Sequence, residues 1–120
     1  MEWIKIAIQI VIAVSIFNVW IIRFGKPTSW RGGSAQNMKE EFNAYGLPGW
    51  FMMLIGALKL ILATLLVIGI WVPGLVTPAA IGMAVLMLGA IAMHIKIKDS
   101  LNKSLPAFSF LVLSLILLFL

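Results

Sequence analysis

Lys59 is the residue whose type and position most strongly suggest chemistry, because it interrupts a long apolar segment. It lies ten residues after Gly49, where that segment begins, so a helix would place it about 15 Å deep in a bilayer. An ammonium group there costs on the order of 3 kcal/mol, and a side chain of about 6 Å is too short to reach either surface. We therefore expect Lys59 to face an internal cavity and to bind an anionic or carbonyl oxygen. Snorkelling towards an interface is the alternative.

His94 closes another apolar segment and shares one helical stripe with Met83, Met87 and Ala90. A histidine in this position either contacts a ligand and exchanges a proton, or complements the carboxyl end of its helix. Asp99 follows five residues later. Its carboxylate is a candidate partner for the histidine or for the mid-membrane lysine.

The polar stretch between residues 23 and 48 supplies further candidates. Its only acids are Glu40 and Glu41. Both pair with basic residues of the same stretch, such as Arg31, in one interpretation. In the other, one of them folds over the cavity mouth towards Lys59 or His94. Asn18 precedes this stretch, and we expect it to hydrogen-bond to another helix and to border the cavity. Gln9 lies on the opposite face of that segment and has no expected role.

Four apolar segments must position these residues, and each is long enough to cross a bilayer as a helix. The predicted helices cover residues 3–22, 49–71, 75–95 and 104–120, and a polar loop covers 23–48. Within that loop, Met38, Phe42 and Tyr45 recur at helical spacing. They predict a short amphipathic helix that lies on the membrane surface or docks on the bundle.

Composition agrees with a membrane protein, since 62% of the 120 residues are hydrophobic and only 11% are charged. The predicted fold class is all-α: a polytopic four-helix bundle, with residues 1–120 forming a single transmembrane domain. The chain has no cysteine, which excludes disulfides and thiolate sites. Soluble-enzyme motifs are missing, and no metal site and no nucleic-acid partner is predicted.

The basic residues are unevenly distributed about the predicted bundle. Seven of the nine lie in or beside the loops 23–48 and 96–103: Arg23, Lys26, Arg31, Lys39, Lys96, Lys98 and Lys103. The positive-inside rule predicts that these loops are cytoplasmic and that both termini lie outside, in a multi-pass protein of the cell membrane. The buried polar residues converge on the same side, so we expect a site to open there.

Six short motifs follow one another in a fixed order along the chain. They are Arg31-Gly32-Gly33-Ser34, Met38-Lys39-Glu40-Glu41-Phe42, Tyr45-Gly46-Leu47-Pro48, Gly56-Ala57-Leu58-Lys59, Gly89-Ala90 and His94-Ile95-Lys96-Ile97-Lys98-Asp99. Their order and spacing resemble the DoxX-like membrane proteins over residues 17–107. The resemblance implies a four-helix bundle. It also implies that the residues at matching positions belong to a pocket or its lid: Arg31, Gly33, Glu41, Tyr45, Lys59, His94 and Asp99.

The resemblance also implies a range of functions. The founding relatives are subunits linked to thiosulfate oxidation with quinone as acceptor, and other relatives serve membrane redox complexes. Distant eukaryotic relatives resemble chaperones for receptor assembly, and similar bundles bind sterols or quinones. A quinone is therefore the candidate cofactor. A thiol relay cannot operate in a chain without cysteine.

Three functions remain open from the sequence. The first is a binding module that holds a quinone or lipid-like amphipathic molecule near Lys59. The second is an accessory subunit or assembly chaperone, whose polar residues pair with a partner membrane protein or with a second copy of the chain. The third, a redox enzyme acting alone, is least favoured, because no residue pattern suits haem, flavin or iron–sulfur ligation.

Overall fold

The computed structural model describes residues 2–120, and within them every regular element is helical. Helix α1 spans Glu2–Phe17 and continues as a π-helix over Asn18–Ile22. The remaining α-helices are α2 (Met38–Tyr45), α3 (Gly49–Ile68), α4 (Val76–Lys96) and α5 (Leu105–Phe119). Short 3₁₀ turns, Pro73–Leu75 and Leu101–Ser104, lead into the last two helices.

Four continuous helical segments are long and apolar enough to cross a membrane. They contain 19 to 24 residues each, which suffices for a hydrocarbon core of about 30 Å. This confirms the predicted all-α, four-helix membrane fold. Large apolar side chains face outward along these helices, as expected against lipid. Exposed tryptophans stand near their ends, where the polar tip of an indole meets water: Trp3, Trp50 and Trp71.

The spanning helices pack against antiparallel neighbours. Helix α4 packs against α5 and α3, while α1 packs against α3. Helix α3 ends at Ile68, three residues before the predicted limit, and a turn with Pro73 leads into α4. The N-terminal end of α1, this turn and the C-terminal end of α5 share one side. The loops 23–48 and 97–104 share the other, which is called the loop side below.

Gln9 has a structural role that its sequence position did not suggest. Its side chain is fully buried, and Nε2 donates a 2.7 Å hydrogen bond to the carbonyl oxygen of Leu66. Leu66 lies in the last turn of α3, where carbonyls have no partner within their own helix. The contact therefore satisfies a helix end inside the bundle and joins α1 to α3.

Helix α2 docks on the bundle, which decides between the two expected positions for the amphipathic segment. Asn37 begins the helix by accepting the backbone N–H of Glu40 on its side chain at 2.8 Å, as N-cap residues do. The apolar stripe Met38, Phe42 and Tyr45 is buried in the main core. The first loop thus folds back over the open end of the bundle and carries polar side chains with it.

Candidate functional site

A cavity of about 810 Å³ opens between the helices on the loop side. Pockets for small molecules usually enclose about 300–1,000 Å³, so its size suits one amphipathic ligand. Every helix contributes to its wall, and much of the surface is apolar or aromatic, including Ile16, Phe51, Ile55, Leu86 and Phe110. The polar groups on its wall include Lys59 on α3, Asn18 and Arg23 at the end of the first span, and a group of side chains beneath the first loop.

Lys59 lines this cavity, as its position in the sequence predicted. Its Nζ lies 5.5 Å from the centre of the Trp20 ring, within the range of a cation–π interaction. Trp20 reaches this position because Gly56, one turn before Lys59, has no side chain. A Cβ atom on Gly56 would lie 2.6 Å from the indole. The glycine therefore lets the π-helical end of α1 approach α3 beside the lysine.

Arg31 is the hub of the first loop, and only 3% of it is exposed. Its Nη1 donates to Oε1 of Glu41 at 3.1 Å, and its Nε donates to the carbonyl oxygen of Lys26 at 2.9 Å. Nη2 donates to the carbonyl oxygens of Arg23 and Phe24. A planar guanidinium with several fixed donors suits this position, because it satisfies a carboxylate and three backbone oxygens at once.

Tyr45 joins this hub to His94. The tyrosine hydroxyl donates to Oε2 of Glu41 at 2.5 Å and lies 3.4 Å from Nε2 of His94. Burial, and then the charge of Glu41, hold the pKa of Tyr45 well above its ordinary value, so the phenol remains a neutral donor. Since its single proton is directed to Glu41, the contact with His94 becomes a hydrogen bond only when Nε2 carries a proton.

Asp99 fixes the other side of the histidine ring. Nδ1 of His94 lies 2.7 Å from Oδ2 of Asp99, and the backbone N–H of Gly33 donates to Oδ1 at 3.0 Å. Because a carboxylate only accepts, Nδ1 carries the proton of this contact. Gly33 adopts φ +57°, a left-handed conformation that glycine reaches without strain, and this turns its N–H towards Asp99.

Two lysines fasten the first loop to the rest of the bundle. Nζ of Lys103 donates to the carbonyl oxygens of Arg31 at 2.6 Å and Gly33 at 2.8 Å. Nζ of Lys96 donates to the carbonyl oxygen of Tyr45 at 2.7 Å. These loop-side basic residues therefore have a structural role as well as a topological one.

The pKa of Asp99 lies below its ordinary value of 3.8. Burial acts to raise it, but the hydrogen bonds from His94 and Gly33 and the positive charge of Lys103 outweigh burial. Since the folded pKa is lowered, the stability that the carboxylate contributes is fully present above pH 3.8. That contribution is lost as the pH falls through the folded pKa.

We therefore expect Asp99→Asn to lower the melting temperature of the detergent-solubilised protein at pH 7. The deficit relative to wild type should shrink as the pH falls below about 4 and disappear below the folded pKa, where the wild-type carboxylate is also neutral. Thermal unfolding of both proteins across this pH range measures the effect. A deficit that is constant down to the lowest pH would show that the charge of Asp99 is not what stabilises the loop.

Six of the eight predicted site residues lie in one hydrogen-bonded group, called the loop-side cluster: Arg31, Gly33, Glu41, Tyr45, His94 and Asp99. Lys59 stands apart from this cluster but lines the same cavity. A series of aromatic contacts links the two, with ring centres 5.7–6.0 Å apart from Trp20 through Phe42 and Tyr45 to His94.

The expectation that Asn18 hydrogen-bonds to another helix is wrong. Asn18 borders the cavity, but its side chain is exposed and makes no hydrogen bond to another helix within residues 2–120. Of the two alternatives for the acids of the first loop, the structure has the pairing within the loop: Glu41 pairs with Arg31, and Glu40 bonds to Gln36 and Asn37. Within residues 2–120, neither acid forms an ion pair with Lys59.

Trp20 and Lys103 are the site residues that the sequence did not single out for these roles. Gly56 gave a partial signal for Trp20, because a small residue one turn from a buried lysine indicates a closely packed neighbour. The contacts of Lys103 with two loop carbonyls had no signal, since they join residues about 70 positions apart.

A family model described as the DoxX-like family matches residues 28–117, which is 90 of the 120 residues. This range includes every residue of the loop-side cluster and Lys59, but not Trp20. The searches of curated proteins and of solved structures returned no match.

Proposed function

The chain belongs to the DoxX-like family of multi-pass membrane proteins, and we propose that it binds a small amphipathic molecule, quinone-like or lipid-like, in the cavity around Lys59. The observation that carries this proposal is the cavity itself. About 810 Å³ of space in an otherwise packed bundle has apolar walls and a lysine directed into it. A cavity of this kind with few polar groups is typical of ligand sites in helical bundles.

The polar groups have distinct roles in this proposal. Lys59 offers a charge to an oxygen of the ligand, deep between the helices. His94 is the group of the cluster that can accept or release a proton, because Asp99 holds its Nδ1 and its Nε2 faces Tyr45 on the cavity wall. The other members of the cluster orient this histidine and close the first loop over the cavity mouth.

The location of the cavity agrees with this role. It opens at the side that carries most of the basic residues, which the positive-inside rule assigns to the cytoplasm. A ligand such as a quinone would enter from the membrane and be exchanged with a redox complex in the same bilayer. The protein would then act as a binding subunit, and the partner would supply the electrons.

The test is to purify the wild type and Lys59→Met in a mild non-ionic detergent and to identify bound small molecules by mass spectrometry. We expect one stoichiometric amphipathic molecule in the wild type and a loss of about tenfold or more in the variant. Lys39→Met is the matched control, because it removes the same charge from an exposed position of α2 outside the cavity.

An empty wild-type protein that co-purifies with a single membrane protein would contradict the ligand proposal. It would instead support the accessory or chaperone role. Equal ligand content in Lys59→Met and Lys39→Met would show that the molecule binds elsewhere.

A further inference from the structure

Within residues 2–120, the charged side chains of the loop-side cluster have partners inside the cluster, whereas Lys59 has none. Arg31 is paired with Glu41, and His94 is paired with Asp99. Within residues 2–120, no carboxylate lies within ion-pair distance of the Lys59 ammonium group, and no hydrogen-bond acceptor takes any of its three N–H donors. The face of Trp20 is in contact with it, and the charge of Glu41 acts on it only from beyond ion-pair distance.

The indole ring does not replace a counterion. A cation–π contact uses one side of the ammonium group and leaves its N–H donors without acceptors. Charged side chains inside a membrane normally pair with an opposite charge or with backbone carbonyls, and helix α3 provides neither at this position. The missing partner must then come from whatever occupies the cavity.

Building on the proposed ligand-binding function, we propose that the ligand is an amphipathic anion whose carboxylate or phosphate group binds Lys59. Such a head group supplies both the negative charge and the oxygen acceptors that the lysine lacks. Both chemistries present charged oxygens to an ammonium group in the same way, so a fatty acid and an acidic lipid are two sources of one ligand class.

The rest of the cavity is consistent with this binding mode. Arg31, the other deeply placed cation, has little capacity for a ligand, because its Nε and both terminal nitrogens already bond to Glu41 and to loop carbonyls. Lys103 is likewise engaged by two carbonyl oxygens. Apart from Arg23, which is exposed, Lys59 is therefore the cavity cation that has no hydrogen-bond acceptor within residues 2–120. Apolar side chains such as Phe51 and Ile55 offer a surface for an alkyl chain.

The experiment uses four probes with alkyl chains of similar length, about 10 to 12 carbons. Dodecanoate and dodecyl phosphate are the anions, and 1-dodecanol and a decyl-substituted benzoquinone are the neutral molecules. Native mass spectrometry of the purified, delipidated protein measures the bound fraction at equal probe concentrations. We expect the two anions to bind at least about tenfold more tightly than either neutral probe. Lys59→Arg should keep this preference, and Lys39→Met should leave it unchanged.

Lys59→Met should lose the preference by reducing anion binding, with little change for 1-dodecanol. If this variant does not fold, as judged by its melting curve, the wild-type comparison of charged and neutral probes decides by itself. Neutral probes that bind as tightly as the anions would overturn the anionic assignment and leave the proposed ligand-binding function standing. Failure of all four probes to bind the wild type would overturn both.

Discussion

Arg31→Met is expected to destabilise the protein more than any other single substitution in the loop-side cluster, by about 3–5 kcal/mol. The buried guanidinium neutralises Glu41 and donates to three backbone carbonyls of the first loop. Methionine would fill part of the volume but leave a carboxylate that is mostly buried without its counter-charge. Unfolding of the purified variant in mixed detergent micelles, compared with wild type, measures the loss.

A double-mutant cycle separates the ion pair from the loop carbonyls. Glu41→Gln removes the acidic partner, so Arg31→Met/Glu41→Gln should recover part of the loss, with a coupling energy of about 1–3 kcal/mol. The part of the stability loss that is not recovered comes from the loop carbonyl oxygens. These lack the Arg31 donors in both Arg31→Met and the double variant. Arg31→Lys should also be unstable, because one ammonium group cannot reach the directions that the planar guanidinium serves. A loss below about 1 kcal/mol for Arg31→Met would refute the assignment of Arg31 as the hub.

Ala90→Trp is expected to abolish ligand binding while leaving the fold intact. Ala90 lies between Met87 and His94 on one stripe of α4, and all three line the cavity. An indole on this stripe would extend into the space that the ligand occupies. Because it fills an existing cavity, it would not force the helices apart. We expect a fall of at least about tenfold in ligand content or in probe affinity, with a melting temperature equal to or above that of wild type.

The matched control for this variant is Ala92→Trp. Ala92 is exposed on the same helix, two residues away, and does not line the cavity. Tryptophan there should face lipid and leave binding unchanged. If both variants retain the ligand, the cavity described above is not the binding site. If Ala90→Trp unfolds, the more conservative Ala90→Leu provides the same comparison with a smaller side chain.

The fold was predictable because its signals are local. Four apolar segments of spanning length identify four helices, and the spacing of Met38, Phe42 and Tyr45 identifies α2. Helix ends were less well defined: α3 stops at Ile68 because the turn before Pro73 takes over, which the continuous apolar run does not reveal. The π-helical end of α1 was also not predicted, since it depends on packing against neighbouring elements.

For the candidate site, the sequence predicted which residues take part better than it predicted which of them contact one another. A lysine in an apolar helix signals a cavity by its energetic cost alone, and Lys59 does line one. Which acid meets which base depends on how the first loop folds back, and that is decided by long-range contacts. The sequence left two alternatives for the loop acids, pairing with a base of the same stretch such as Arg31 or reaching Lys59 or His94. In the structure, Glu41 forms an ion pair with Arg31 of the same loop, and Asp99 contacts His94.

The sequence by itself determined the four membrane-spanning helices, the polar first loop and the energetically costly charge at Lys59. Hydropathy and the free-energy cost of placing an ammonium group in a membrane both follow from residue type. Only the tertiary structure decided that Gln9 satisfies a helix end and that Asn18 is exposed. It also decided that, within residues 2–120, Arg31 and Asp99 find partners while Lys59 finds no ion pair or hydrogen bond. The physical reason is that ion pairs and hydrogen bonds require distances of about 3 Å. Such distances between residues far apart in the chain are set by the packing of helices and loop against one another.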